Sequence, residues 1–310
     1  MSPHAVVQQR GPKPEAGLGV GSGAPTEEEA DSASLEGHRS PQQVFRIDFM
    51  RRALAVGLVV ALGCGFLGLF VVLRRIVFLG IALAEVSSTG VALALLMGFN
   101  PMVGSLALML LGVGLFSVRW SPRKVAQESF IGIGWAVASA AGILLVAKSA
   151  TGESHMLDLI YGNILTVTTG DIWRTGVVLG GVVLLHLLFA KEFLFVSFDP
   201  DTVAAMGYRA RLWDLLLYAT LGLTISFSIQ AVGVLMTFSA LVLPPVTALL
   251  LARRMRTAAA VSMLVGAIPL PVGLYLSFVW DLPTSATVVA VSFLLLLAAG
   301  GTSLLVRRAV

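Results

Sequence analysis

Charged residues are scarce in this sequence. Of its 310 residues, 57% are apolar and only 12% are Asp, Glu, Lys or Arg, and the mean hydropathy is +0.91. A soluble domain carries about 25% charged residues. The deficit is too large for a globular core to explain, so the composition predicts an integral membrane protein.

Cysteine is nearly absent, and the common catalytic motifs are missing. The single cysteine, Cys64, lies within an apolar run, which excludes an intrachain disulfide framework and favours a small core residue. The chain has no G-x-x-x-x-G-K-[ST] phosphate loop, no H-E-x-x-H, no C-x-x-C and no G-x-S-x-G. We therefore expect neither an enzyme nor a cofactor bound by this chain. The basic residues flank apolar runs, so nucleic-acid binding is not expected either.

The first 45 residues differ from the rest. They are rich in Gly, Pro, Ser and Glu and show no apolar periodicity. Such a composition buries too little surface to offset the entropy lost on ordering. The sequence therefore predicts a disordered N-terminal tail over 1–45 and a transmembrane domain over 46–310.

Apolar runs of roughly the ~20 residues that a bilayer requires follow the tail. They cover 53–73, 76–97, 101–118, 129–149, 172–190, 212–230, 231–252, 258–280 and 284–306. The sixth and seventh runs nearly touch. They predict either two crossings with a tight turn at Gln230 or one crossing plus a re-entrant piece. We expect an all-α polytopic helical bundle of eight or nine transmembrane helices, with nine preferred.

The basic residues predict the orientation of the chain. Loops after odd-numbered runs carry clusters of Arg and Lys, whereas the loops after even-numbered runs are nearly free of them. Cytoplasmic loops accumulate these residues. The pattern predicts a multi-pass protein of the inner (plasma) membrane with its N-terminus outside and its C-terminus in the cytoplasm. Arg46, Arg51 and Arg52 oppose this orientation, and the acidic tail before them makes their position easier to accept.

Glu85 lies near the middle of the second run. A charged residue at a helix centre costs about 2.5–3.5 kcal/mol on the insertion scale, so this carboxylate should face protein or water. Ser88 and Thr89 follow at helical spacing and add oxygen atoms to the same region. We interpret Glu85 as an ion contact on a translocation path. The alternative is a hydrogen-bonded structural glutamate that joins two helices.

The remaining polar residues give weaker signals. His186, near the end of the fifth run, is expected to be a packed or interfacial histidine rather than a ligand. His155, Asp158 and Asp171 belong to a long loop, and their spacing matches no standard metal signature. We expect that loop to be solvated.

The loop over 196–214 predicts a short helix. Asp199 suits an N-cap, Pro200 the first helical position, and Asp201 complements the helix dipole. Gly207 can end the helix in a left-handed conformation. The pattern indicates a capped two-turn helix in a cytosolic loop. We interpret it as a docking element, and a loop helix without a partner is the alternative.

Six segments, in this order, extend over nearly all of 45–306: CGFLGLFVVLRRIVFLGIALAEVSSTGVALALLMG, ESFIGIGWAVASAAGILL, LIYGNILTVTTGDI, VSFDPDTVAAMG, VGVLMTFSALVLPPVTALLLARR and FVWDLPTSATVVAV. Together they resemble the membrane permease of bacterial ABC-type zinc and manganese importers. One such match would be a weak signal, but six in the same order are specific.

The resemblance implies a transmembrane permease domain and several partners. A second permease copy would form a pore with this chain, and cytosolic ABC ATPase subunits would bind the ATP. An extracytoplasmic metal-binding protein would deliver the ion. The ATPase-coupling loop would comprise Asp199, Pro200, Asp201, Ala204, Ala205, Met206 and Gly207.

One departure from the family concerns the second span. Members commonly carry an Asp and a His four residues apart on one helical face, where this chain has Ile81 and Glu85. The resemblance thus implies a path along Ile81, Glu85, Ser88 and Thr89, with Glu85 as the metal ligand. Carboxylate oxygen is a harder ligand than imidazole nitrogen, which favours manganese or another hard cation over zinc.

A stand-alone proton-coupled secondary transporter or channel that uses Glu85 is the alternative function. Such transporters often contain paired, inverted halves. No convincing repeat relates residues 53–149 to 212–306. Activity of the chain alone in liposomes would favour this alternative. A structural membrane scaffold is a third hypothesis for the function.

Overall fold

The computed structural model describes residues 45–118, 127–148, 167–198 and 210–309, all of which belong to one compact unit. These residues form eleven α-helices and no strand, which confirms the all-α polytopic bundle. Three sequence predictions lie outside the described residues. They concern the N-terminal tail, the loop with His155 and Asp158, and the coupling loop over 199–207.

The helices are numbered here in chain order. They are α1 Asp48–Leu73, α2 Val77–Met97, α3 Pro101–Ser117, α4 Gln127–Lys148, α5 Thr169–Leu188, α6 Ala190–Phe198, α7 Ala210–Val232, α8 Val234–Leu251, α9 Met255–Ala267, α10 Pro269–Trp280 and α11 Thr284–Ala309.

Eight candidate spans within the described residues are long and apolar enough to cross a membrane, with α9 and α10 together forming one of them. The third predicted run corresponds to α3, which is shorter, at 17 residues. Asn100 caps α3 by accepting a hydrogen bond from the Met102 amide at 2.9 Å. The described residues therefore contain eight candidate spans and one shorter apolar helix, which lies within the predicted range of eight or nine helices.

The boundary between the sixth and seventh runs differs from the prediction. Helix α7 continues through Gln230 to Val232, and the break falls at Gly233, whose φ is 86°. Glycine adopts this left-handed conformation without a steric penalty. Both helices are long enough to span, so the two runs are separate helices that meet at Gly233 instead of Gln230.

Two further details are absent from the sequence predictions. The eighth run is broken at Ile268, because Pro269 has no amide hydrogen to continue the helical ladder of α9. The fifth run is followed by the nine-residue helix α6, which begins immediately after the C-cap of α5 at Phe189.

Helix α1 lies at the centre of one half of the bundle, packed against α5, α8 and α9. Its glycines allow close approach. A Cβ on Gly68 would clash with the carbonyl oxygen of Leu241 and with the ring of Pro245 in α8. Near the same region, the Ser262 hydroxyl of α9 donates to the carbonyl oxygen of Gly65 at 2.6 Å. Small residues at these contacts replace the hydrophobic driving force that is missing in lipid.

Helix α2 packs against α3, α4 and α7. Gly90 of α2 and Gly104 of α3 lie backbone to backbone, since a Cβ on either would clash with the carbonyl oxygen of the other. On another side of α2, Thr89 lies against Gly142 of α4. These contacts fix how α2 is rotated about its own axis.

The helices alternate between two ends of the bundle. At one end, called the Asn100 end, Asn100, Asp171 and Gln230 line a common cavity. The Ser285 hydroxyl donates to the Val232 carbonyl oxygen at 3.1 Å, so the start of α11 lies there too. The opposite end, called the Arg74 end, contains the junctions that follow α1 and α5.

We expect alanine at Gly90 or Gly104 to destabilise the fold by about 1–3 kcal/mol, because the added methyl group overpacks the α2–α3 contact. Gly80 of α2 and Gly114 of α3 are matched controls, since a Cβ at either meets none of the described atoms within 4 Å. Equilibrium unfolding in mixed detergent micelles measures the difference. Equal stability of the test and control variants would contradict this packing.

Candidate functional site

Three of the four predicted path residues lie on one stripe of α2. Ile81, Glu85 and Ser88 are each partly exposed, whereas the neighbouring Ala84 and Ser87 are buried. Spacings of four and three residues place the three side chains above one another on a single helical face. We call Ile81, Glu85 and Ser88 the α2 stripe.

The structure separates Thr89 from that stripe. Thr89 is only 5% exposed and faces α4. Its hydroxyl lies 2.9 Å from the carbonyl oxygen of Glu85 and 2.8 Å from that of Ala138, and it donates to both. Thr89 therefore joins α2 to α4, while the other three residues face outward.

The Glu85 carboxylate has no hydrogen bond or ion pair with any residue in the described part of the chain. The alternative interpretation, a glutamate that joins two helices, requires such a partner. A carboxylate that faced acyl chains would lack solvation. As far as the described residues show, the stripe therefore needs water or further protein against it in a membrane.

Behind the stripe, three serines form a buried cluster. The Ser87 hydroxyl lies 2.7 Å from that of Ser105 in α3 and 2.8 Å from that of Ser226 in α7. All three are at most 1% exposed. At about 100° per residue, Ser87 points almost directly away from Glu85. The cluster holds the inner side of α2, and the stripe on the other side is partly exposed among the described residues, an arrangement that the sequence did not reveal.

A polar cavity of about 230 Å³ opens at the Asn100 end between α3, α5 and α7. Its polar lining includes Asn100, Asp171, Arg174 and Gln230. The Gln230 amide donates to the carbonyl oxygen of Ser226 at 3.2 Å, so the cavity adjoins the serine cluster. One acid beside a guanidinium is a poor cation ligand set. No group of three His, Cys, Asp or Glu side chains lies close enough to bind a metal anywhere in the described ranges.

The Arg74 end contains a polar network that the sequence did not indicate beyond its basic charge. The Arg74 guanidinium donates to Asp214 Oδ1 at 2.6 Å, to Ser197 Oγ at 2.9 Å and to the Val196 carbonyl oxygen at 2.6 Å. Its side chain is 9% exposed, and that of Asp214 is 25% exposed. The network joins α1, α6 and α7, and we call these four residues the Arg74 network.

His186 is packed as an aromatic residue. It is fully buried, its ring stacks on that of Phe193 with 4.1 Å between centroids, and its Nδ1 lies 2.9 Å from the Val182 carbonyl oxygen. This placement agrees with the sequence prediction of a packed histidine.

Comparison with known proteins gives a consistent picture. Residues 46–301 match the model of the ABC 3 transport family. The manganese transport system membrane protein MntC of Listeria monocytogenes is 30% identical over 254 residues, covering 80% of this chain and 89% of that protein. The probable iron transport system membrane protein of Haemophilus influenzae is 28% identical over 257 residues, covering 82% and 90%. PsaBC from Streptococcus pneumoniae, solved in complex with Fab, has a TM-score of 0.75 and 26% identity, covering 83% of this chain and 93% of that one.

We expect Ser87→Ala to lower the free energy of unfolding by about 1–2 kcal/mol. The change removes two buried hydrogen bonds and takes one partner away from each of the Ser105 and Ser226 hydroxyls. Ser88→Ala is the matched control on the next residue of the same helix, and we expect a change within about 0.5 kcal/mol. Unfolding in mixed micelles measures both values. A larger loss for Ser88→Ala than for Ser87→Ala would contradict the assignment of inner and outer faces.

Proposed function

The chain belongs to the ABC 3 transport family, and on that premise we propose that it is the membrane subunit of an ATP-driven importer of a divalent metal ion. The family and the apolar helices make it a multi-pass membrane protein and a transporter subunit that is not itself catalytic. Its lack of a phosphate-binding loop agrees with ATP hydrolysis by a separate ATPase subunit.

The observation that carries the proposal is the position of Glu85. This carboxylate lies near the middle of a spanning helix, on a stripe that the described part of the chain leaves open. Its desolvation in lipid is costly, whereas contact with a hydrated cation is favourable. We infer that a second permease copy lies opposite the α2 stripe, and that the ion passes between the two copies.

The chemistry of the stripe favours a hard cation. Glu85 and Ser88 offer carboxylate and hydroxyl oxygens, which suit manganese better than they suit zinc. One relative is named as a manganese transport protein and another as a probable iron transport protein. We propose manganese as the first cargo to test, with ferrous iron and zinc as competitors.

The charge distribution supports an orientation. Arg74, Arg75, Lys191, Arg253 and Arg254 lie at junctions of the Arg74 end. Because basic residues concentrate in cytoplasmic loops, we place this end in the cytoplasm and the Asn100 end outside. An extracytoplasmic metal-binding protein would then release the ion beside the polar cavity at the Asn100 end, and the ATPase would dock at the loop over 199–207.

We expect Glu85→Gln to reduce ATP-dependent uptake of Mn²⁺ by about tenfold or more, because it removes the charge that offsets ion dehydration. Glu128→Gln, which neutralises an exposed acid at the start of α4, is the matched control and should transport normally. Uptake is measured in proteoliposomes that contain this chain and its ATPase, with complex assembly checked by gel filtration.

Two results would contradict this proposal. Unchanged uptake by the Glu85→Gln variant would leave that residue with a structural role. Uptake by the chain alone, driven by a proton gradient without ATPase, would favour the stand-alone transporter.

The coupling loop gives a separate prediction. We expect Ala204→Pro to abolish uptake while leaving the chain inserted, because proline interrupts the helix that the sequence predicts there. Ala204→Ser retains the backbone amide and is the control. Co-purification of the ATPase and substrate-stimulated ATP hydrolysis measure docking. Survival of both in the proline variant would show that the ATPase docks elsewhere.

A further inference from the structure

We propose that Arg74 is the positioning residue that transmits movement from the ATPase-facing connection between α6 and α7 to helix α2. The inference rests on the proposed function, because it assumes that an ATPase acts on that connection. It assigns a mechanical role to a residue that charge patterning alone marks only as cytoplasmic.

The Arg74 side chain binds residues on both sides of the connection between α6 and α7. Val196 and Ser197 lie at the end of α6, and Asp214 lies near the start of α7. All three bind the same guanidinium, through Nη2, Nε and Nη1 respectively. The planar guanidinium presents its donors in fixed directions, so the two chain ends are fixed relative to each other and to α1.

Helix α6 is packed firmly enough to move as a unit. Its Phe193 ring is 1% exposed and stacks on His186 of α5. It also contacts Trp213 of α7 at 5.3 Å between ring centroids. Val196, which accepts a hydrogen bond from Arg74, is 2% exposed. The end of α6 and the start of α7 are therefore packed so that they move together.

The link from Arg74 to α2 is short. Arg74 is the C-cap of α1, and the next two amides bond back into the helix, from Arg75 to Val72 O at 3.1 Å and from Ile76 to Val71 O at 3.0 Å. This pair of bonds is a Schellman turn, with Arg75 in the left-handed position at φ 59°. Helix α2 begins at Val77, so the linker has little slack.

Glu85 lies about 12 Å along α2 from that turn, at about 1.5 Å per residue. The first two turns of α2 thus connect the Arg74 network to the α2 stripe by continuous helix. A shift of the guanidinium translates or tilts this part of α2 and thereby displaces Glu85.

The ion pair is suited to this role because it resists separation. The Arg74 side chain is largely withdrawn from water, and its partner Asp214 is about three-quarters covered. Breaking the contact leaves an uncompensated guanidinium in a poorly hydrated place. The guanidinium therefore follows α6 and α7 when they move. A contact that only stabilised the fold would have the same geometry. The coupling of transport to ATP hydrolysis must therefore be measured separately from the stability of the protein.

The experiment compares ions transported per ATP hydrolysed. The chain with its ATPase is reconstituted into proteoliposomes, and Mn²⁺ uptake and ATP hydrolysis are measured in the same sample. For Arg74→Gln and Asp214→Asn we expect ATP hydrolysis within about twofold of the wild type and a fall of about fivefold or more in ions per ATP. Because Asp214→Asn weakens a contact that Arg74→Gln already removes, the double variant should be no worse than Arg74→Gln alone.

Arg75→Gln is the matched control. It removes one positive charge from the same turn, and the exposed Arg75 side chain lies outside the Arg74 network. We expect its ratio of ions to ATP to equal that of the wild type. An equal loss in the Arg74 and Arg75 variants would assign the effect to charge and overturn the proposal.

A parallel fall in uptake and ATP hydrolysis, with the number of ions transported per ATP unchanged, would show that the Arg74 network only stabilises the fold. That result would also overturn the proposal. If Arg74→Gln does not assemble, Asp214→Asn and Ser197→Ala decide the matter, since both keep the arginine. If the wild type shows no ATP-dependent uptake, the proposed function itself fails. Normal wild-type transport with unaffected ratios in these variants would overturn the further inference alone.

Discussion

Water is scarce within a bilayer, so every polar group there needs a partner inside the protein. Most buried hydroxyl groups of the described helices follow this constraint, and the Thr224 hydroxyl is an exception. Ser87 bonds other serines, Thr89 bonds backbone carbonyl oxygens, and Ser262 donates to the carbonyl oxygen of Gly65. Glu85 also lacks a partner among the described residues, and it differs from Thr224 because it is an acid and is partly exposed.

The close glycine contacts explain why the stripe faces outward. Gly90 and Gly104 bring α2 and α3 together without side chains between them, and Ser87 joins the inner face of α2 to α3 and α7. With those faces covered, helical geometry leaves Glu85 on the uncovered side. The position of the carboxylate thus depends on packing at residues outside the stripe.

Much of this architecture was predictable from local sequence signals. Apolar runs of membrane length located the spans to within a few residues, since both run length and capping are local properties. The predicted boundary lay at Gln230 instead of Gly233, because a polar residue in an apolar run suggests a turn. The break in the structure needs a positive φ, which glycine permits. Helix α6 was missed, since its apolar residues are buried by neighbours distant in sequence.

Pairings between distant residues were beyond the reach of the sequence. Ser87 and Ser226 are 139 residues apart, and Arg74 and Asp214 are 140 apart. Without the fold, Arg74 is one basic residue among many. The number of basic residues in its loop predicts only which side of the membrane that loop occupies. The stripe was partly predictable, because spacing alone places Glu85 and Ser88 on one face. The same spacing placed Thr89 nearby, and only the contact with Ala138 shows that it faces α4.

One carboxylate per chain also limits what the stripe can do. Transition-metal sites use several ligands, and Glu85 with Ser88 supplies too few oxygens to hold an ion tightly. A weak contact suits passage, because an ion that must leave cannot be bound as in a structural site. With a second copy related by twofold symmetry, two such contacts would face each other and lower the cost of dehydration without trapping the ion. Under the proposed function, Glu85 would favour the passage of hard cations, and selection among metals would belong to a protein that delivers them.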